Sequence, residues 1–282
     1  MKKLSALLLL LVFAHTGHSQ EYSSSKRSNI TFNHSNGLSS FNVEMRGKID
    51  VTDDDKDIKS MSADAYLEIN KITFGSRRTI VVSPDGNGLR REYYEGREKL
   101  SWEPAGRQWL SEILPELLRT TTIAAESRVN RFYKKGGVSG VLGEIRLIDS
   151  DYVKAHYANA LMGLNLAVKD YVTVIQGVSS TMDSDHYMTE FLEKNMTKFL
   201  QDKAAMDAVF NACGKMESDH YKTQVIKEAL DQQSPTAEGI ESILLASSNM
   251  ESDHYKTEVL TSLLKKDNLS DAVVNEMIKN TM

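Results

Sequence analysis

The chain has one cysteine, Cys213, and four prolines, and aromatic residues make up only 7% of its 282 positions. A single cysteine excludes an intramolecular disulfide, so stability has to come from packing. The thiol falls near the end of an expected helix and reads as a small buried hydrophobe rather than a reactive group. The scarcity of proline favours helix. Catalytic signatures are missing as well: there is no Gly-x-Ser-x-Gly, no phosphate-binding glycine loop, no His-Glu-x-x-His and no Cys–His context with a plausible nucleophile. No catalytic residue, cofactor site or metal site is therefore assigned, and only a site assembled in space from distant residues stays open.

An excess of basic residues is also lacking. The formal charge is −5, which argues against nucleic acid and against anionic membranes as general partners. Lys2 and Lys3 precede an apolar run from Leu4 to Ala14, followed by small and polar residues through Ser19. That is the layout of a secretory signal peptide. The run is too short for the roughly 20 residues of a membrane-spanning helix, and no later stretch is long enough to span a bilayer. Cleavage near Ser19 or Gln20 removes Lys2 and Lys3 and no acid, which takes the charge from −5 to −7. No cysteine stands directly after the run, so the chain is expected to be exported, periplasmic or secreted, and not a lipoprotein.

What is present is repetition. Met182-Asp-Ser-Asp-His-Tyr187 recurs as Met216-Glu-Ser-Asp-His-Tyr221 and as Met250-Glu-Ser-Asp-His-Tyr255, with a more divergent copy at Ile148-Asp-Ser-Asp-Tyr-Val153. Each step is 34 residues. After the motif, apolar residues keep to one side of a helix: Phe191, Leu192 and Met196, then Val225, Ile226 and Leu230, then Val259, Leu260 and Leu263. A break follows in each unit, clearest at Ser234-Pro235. A second stripe comes next, with Val172 and Ile175, then Met206, Val209 and Phe210, then Ile240, Ile243 and Leu244, then Val274, Met277 and Ile278. A decayed unit is expected before these, from about 121 to 147, with Gly136-Gly137 as its turn. A lone helical hairpin cannot bury two stripes, whereas stacked hairpins cover one another. The expectation is an all-α solenoid of 34-residue hairpins, HEAT-like, over residues 105–282, with units starting near 114, 148, 182, 216 and 250.

Within the motif, Ser184, Ser218 and Ser252 stand where an N-cap belongs. Asp185, Asp219 and Asp253 fall at the first helical position, where the helix dipole favours negative charge. Tyr187, Tyr221 and Tyr255 open the buried stripe as repeat core. The ladder His186, His220 and His254 invites a metal reading. Helix axes 8–10 Å apart put equivalent residues of neighbouring units too far apart to share an ion bound at about 2.1 Å. A pH-responsive edge is a second reading, and a capping motif copied by duplication is a third.

A 34-residue hairpin has the length of a tetratricopeptide repeat, but the Trp, Leu-Gly, Tyr, Ala, Phe and Pro pattern of that family is absent. The (Ile/Met)-x-Ser-Asp-(Tyr/His) start resembles the Ile-x-Ser-Asp-Tyr repeats of bacterial exported proteins. Similar repeats follow the membrane-embedded part of some zinc peptidases of the beta-lactam-sensor type. The resemblance covers residues 114–282 and implies an accessory, sensory or binding module outside the inner membrane. Peptidase activity does not carry over, since the zinc motif is missing.

Residues 21–37, rich in Ser and Asn, are expected to form an extended or flexible segment. A different periodicity takes over in 38–104. Val43 to Val51 alternates apolar with charged residues, as a half-buried strand does. Ala65–Phe74, Arg77–Val82, Leu89–Tyr94 and Glu98–Trp102 read as further strands, with a turn at Pro84-Asp-Gly-Asn-Gly88, and together they predict an antiparallel β meander. The apolar stripe Trp109, Leu110, Ile113, Leu117 and Leu118 either covers the sheet or begins the helical array. Asp53, Asp55 and Asp57 alternate as calcium ligands often do. An EF-hand needs Gly at its sixth place and Glu at its twelfth, and here those are Ile58 and Asp64, so an EF-hand is excluded and a solvated acidic loop is expected. Arg77-Arg78 and Arg90-Arg91 either meet across neighbouring strands as a basic patch for a ligand, or pair with acids and merely coat a sheet face. The functional expectation is a non-enzymatic cell-envelope scaffold that binds a protein or peptide partner. The alternatives are a regulatory module of a membrane sensor or peptidase system, and a hydrolase whose site is invisible in sequence.

Overall fold

The structure, a computed structural model, describes residues 20–24, 30–35, 39–86 and 88–266 and single positions at 269, 271, 274, 275 and 278, with side chains from Ser40 onward. Residues 1–19 of the expected signal peptide lie outside the described residues, as does most of the helix expected around Val274, Met277 and Ile278. The fold is α+β, an antiparallel sheet followed by nine helices among the described residues. No described helix is long and apolar enough to cross a membrane. Contacts divide the chain into two units, Met1–Ile113 and Leu114–Met282.

In the first unit, strands β1 (Gln20–Ser24), β2 (Ile30–Ser35), β3 (Ser39–Arg46), β6 (Tyr66–Thr73), β7 (Ser76–Asp85), β8 (Gly88–Glu95) and β9 (Glu98–Leu100) lie side by side in that order. All pairings are antiparallel. A separate hairpin of β4 (Ile49–Val51) and β5 (Ile58–Met61) is inserted between β3 and β6. Two paired strands, β1 and β2, thus fall in the segment expected to be extended or flexible. Register aligns Val43, Ile69, Ile80 and Tyr93 in one row across four strands, and all four are buried. Removing such a row of side chains from water is worth about 1.5–3 kcal/mol for each.

The strand expected over 43–51 breaks at Gly47. Its φ is +70°, which L side chains rarely adopt, and a Cβ there would meet Ser62 Oγ at 2.7 Å and Ala65 Cα at 2.8 Å. The alternation persists through the break, which is why sequence periodicity alone does not reveal it. Helix α1 (Arg107–Thr120) spans the division between the units. On its sheet-unit side, Trp109 packs its ring 5.8 Å from that of Tyr93.

The second unit holds α2 (Ala125–Ile145), α3 (Asp151–Met162), α4 (Asp170–Ser179), α5 (Asp185–Phe199), α6 (Lys203–Cys213), α7 (Asp219–Gln232), α8 (Ala237–Ser248) and α9 (Asp253–Leu264). Helix α2 is two helical segments in one run. Gly136 and Gly137 leave helical geometry, Gly137 with φ +58°, at the turn that the glycine pair predicts. Helix α3 packs on α5, α5 on α7 and α7 on α9; in parallel, α4 packs on α6 and α6 on α8. The apolar stripes meet in one continuous core that runs from Ala125 to Leu263 and includes Phe191, Phe199, Phe210 and Ile226. Cys213 lies fully buried there, and burial pushes its thiol pKa up to about 12.

Candidate functional site

The repeated motif forms one edge of the helical unit. Each motif serine has the extended backbone of an N-cap, but only Ser184 accepts a bond there, from the Tyr187 N–H at 3.5 Å. Ser218 and Ser252 make no side-chain cap bond. The aspartates do something that the helix-dipole reading does not anticipate: they reach to the next repeat. Asp151 Oδ2 accepts the backbone N–H groups of Asp183 at 2.9 Å and Ser184 at 2.6 Å. Asp185 Oδ2 accepts those of Glu217 at 2.9 Å and Ser218 at 2.6 Å. Asp219 Oδ2 accepts those of Glu251 at 2.8 Å and Ser252 at 2.9 Å. These amides lie just before helix starts, where no intrahelical acceptor exists. One carboxylate thus replaces two missing partners, 32 and 33 residues along the chain.

Lysines one turn into the helix support two of the carboxylates. Buried Lys154 donates to Asp151 Oδ1 at 2.7 Å and to the Thr181 carbonyl at 2.6 Å. Buried Lys222 donates to Asp219 Oδ1 at 3.3 Å, and Met188 holds the equivalent place in α5. Burial alone raises the Asp219 carboxyl pKa. The Ser252 N–H, the Lys222 ammonium and the Glu251 N–H outweigh it and hold the group below the usual aspartate value.

Tyr187, Tyr221 and Tyr255 are half-buried against the core rather than inside it. Their rings alternate with the histidines. His186 lies 5.0 Å from Tyr187 and 6.0 Å from Tyr221. His220 lies 5.3 Å from Tyr221 and 5.7 Å from Tyr255, and His254 lies 5.2 Å from Tyr255. Each inner histidine is thus a spacer between the tyrosines of successive repeats. Among the described residues no three His, Cys, Asp or Glu side chains gather as metal ligands.

On the exposed side of α2, α3 and α5 lies a polar pocket of about 370 Å³ lined by Glu126, Asn130, His156, Asn159 and Lys194. His156 keeps an accessible edge, yet close neighbours strip water from the ring and lower its pKa. Glu126 opposes that shift and Lys194 adds to it. Asn195 braces the floor by donating to Asn159 Oδ1 at 2.8 Å. Further along the array, Gln224 of α7 bonds Glu193 of α5 and Lys227 of α7 bonds Glu258 of α9, each at 2.7 Å.

Arg128 of α2 is almost fully buried. It donates to Glu144 Oε1 at 2.8 Å and to the Tyr157 hydroxyl, and Arg119 reaches the same carboxylate at 2.9 and 3.2 Å. No spacing rule in the sequence marks this cluster.

In the sheet unit, two carboxylates of the acidic loop 53–57 are engaged within the unit. Asp57 bonds Arg91 at 3.2 Å and Arg107 at 2.9 Å. Asp54 accepts from the Thr52 hydroxyl at 2.7 Å, which lowers its pKa. Of the arginine pairs, Arg91 is thereby tied to that loop.

Comparison of the chain with known protein families, with curated proteins and with solved structures yields no match.

Proposed function

We propose that residues 114–282 form a HEAT-like solenoid, and that the protein is a non-enzymatic scaffold of the cell envelope that holds a protein or peptide partner along the exposed side of α3, α5, α7 and α9. The observation that carries this reading is the aspartate bond to the following repeat, made three times with the same atoms and spacing. A connection copied with the repeat lets each unit depend on its neighbours alone, the condition for a quasi-one-dimensional array with a long binding face. The pocket at Asn130, Asn159 and Lys194 adds amide donors and acceptors beside a cation. Such a set suits peptide groups and a carboxylate. Export follows from the apolar leader at Leu4–Ala14.

Site-specific photo-crosslinking in envelope extract tests this reading. A photoreactive residue at 194 should capture a discrete partner, and one at exposed Glu241 on α8 should not. Capture from 241 alone, or from neither position, rejects the proposed face.

A further inference from the structure

The end of the β6–β7 hairpin carries features that the sheet itself does not need. Phe74 has φ +48° and Gly75 follows at +81°, with Thr73 paired to Ser76 across them. A two-residue turn with both corners at positive φ favours Asn, Asp or Gly at its first corner. The β7–β8 and β8–β9 turns place glycines, Gly86 at +57° and Gly96 at +60°, where this one places a phenylalanine. The ring gains nothing by burial, since Phe74 is 79% exposed and nearby Ile72 is 38% exposed.

Charge is also arranged against the local interest of the fold. Lys71 sits directly opposite Arg78, and Ile72 opposite Arg77. Like charges facing one another weaken a strand pair. From 71 to 78 there are three cations and no acid. The Arg77 guanidinium is held by neutral Asn70 at 3.2 and 2.9 Å. Lys71 lies over the Phe41 ring at 5.4 Å, and Arg78 meets Glu95 at 3.5 Å, both half-exposed.

We propose that this hairpin tip is a membrane-contacting wedge. Phe74 and Ile72 enter the headgroup boundary of a bilayer rich in anionic lipid, and Lys71, Arg77 and Arg78 pair with headgroup phosphates. Aromatic rings are at home in that boundary, and basic residues at the surface add attraction. The net negative charge of the chain opposes a broad membrane-bound face. It does not oppose a point contact, because salt screens charges beyond about 8–10 Å. With so little apolar surface inserted, attachment is reversible.

The test is vesicle flotation of the chain freed of its apolar leader, residues 1–19, which would bind lipid by itself. Vesicles of phosphatidylcholine alone are compared with equal parts phosphatidylcholine and phosphatidylglycerol. The protein should float with the anionic vesicles and release as salt is raised. Phe74→Asn suits the turn better, so its Tm should equal or exceed that of the parent while partitioning falls about tenfold. Arg77→Gln with Arg78→Gln should also cost about tenfold, and should lessen the salt dependence. Failure of the parent to float, or flotation of Phe74→Asn equal to the parent's, overturns the proposal. A tip that docks into a protein instead would leave the vesicles bare, which is the result that overturns the membrane contact.

Discussion

The Asp219 carboxylate accepts the backbone N–H of Ser252 at 2.9 Å, joining the first residue of α7 to the residue that precedes α9. The same oxygen takes the neighbouring Glu251 N–H at 2.8 Å. Asp219→Ala removes both bonds and leaves two amides without a partner. Hydrogen bonds to a charged group contribute about 1.5–3 kcal/mol each, and solvent recovers part of the loss. Urea unfolding should show a destabilisation of about 2 kcal/mol. Ser252→Ala, whose hydroxyl makes no cap bond, should cost well under half of that. Equal losses from the two variants would return the motif to simple capping.

The depressed pKa of Asp219 fixes a pH signature. Its folded value lies below the unfolded one, so the stabilisation is complete above about pH 4, the ordinary aspartate range. It is lost as pH falls through the folded pKa, because the unfolded chain then binds the proton more readily. The stability difference between the parent and Asp219→Asn should therefore be constant near neutrality and shrink on acidification below pH 4. Denaturant midpoints measured across that interval check it. A difference that grows on acidification contradicts the assignment.

Glu144 is the carboxylate shared by Arg128 and Arg119. Glu144→Gln leaves the buried Arg128 guanidinium without its counter-charge. Breaking a buried pair from one side costs about 3–5 kcal/mol. Tyr157→Phe, which removes one neutral partner of the same arginine, should cost about 1 kcal/mol. Chemical denaturation of the two variants should preserve that order.

Close packing between the α2 and α4 segments depends on Gly177. A Cβ there would meet Leu142 Cδ1 at 2.5 Å and Cδ2 at 2.9 Å. Gly177→Ala should destabilise by about 1–3 kcal/mol through overpacking, despite alanine's better helix propensity. Gly143, with open space around its Cβ position, is the control, and Gly143→Ala should be neutral or stabilising. Thermal melts of the pair separate packing from propensity.

Much of the helical unit is legible because its signals are local. Asp185, Asp219 and Asp253 begin helices, and the Gly136-Gly137 turn lies where the glycine pair places it. The partners of Asp185 and Asp219 are not legible, because a backbone amide in the next repeat leaves no mark on residue identity. The one hint is that aspartate persists in the divergent copy, at Asp151, where histidine has given way to Tyr152. The Arg128 cluster is hidden for a related reason, since its members come from four helical segments with no common spacing. In the sheet, alternation locates β6, β7 and β8 but runs on through Gly47, so the β4–β5 hairpin passes unseen. Strands β1 and β2 are not resolved as separate strands, because serine and asparagine give an extended segment no apolar alternation. Phe74 reads from sequence as the last residue of a strand, and only its positive φ and exposure set it apart.

Amide hydrogen exchange at six positions tests the linkage between repeats most directly. Asp183, Ser184, Glu217, Ser218, Glu251 and Ser252 all precede helix starts, yet each donates to an aspartate of the preceding repeat. These amides should exchange markedly more slowly than unbonded turn amides, and Asp185→Ala should release Glu217 and Ser218 while sparing Glu251 and Ser252. Exchange at free-turn rates in the parent, or release of all six by that one substitution, would contradict a chain of independently clamped neighbours.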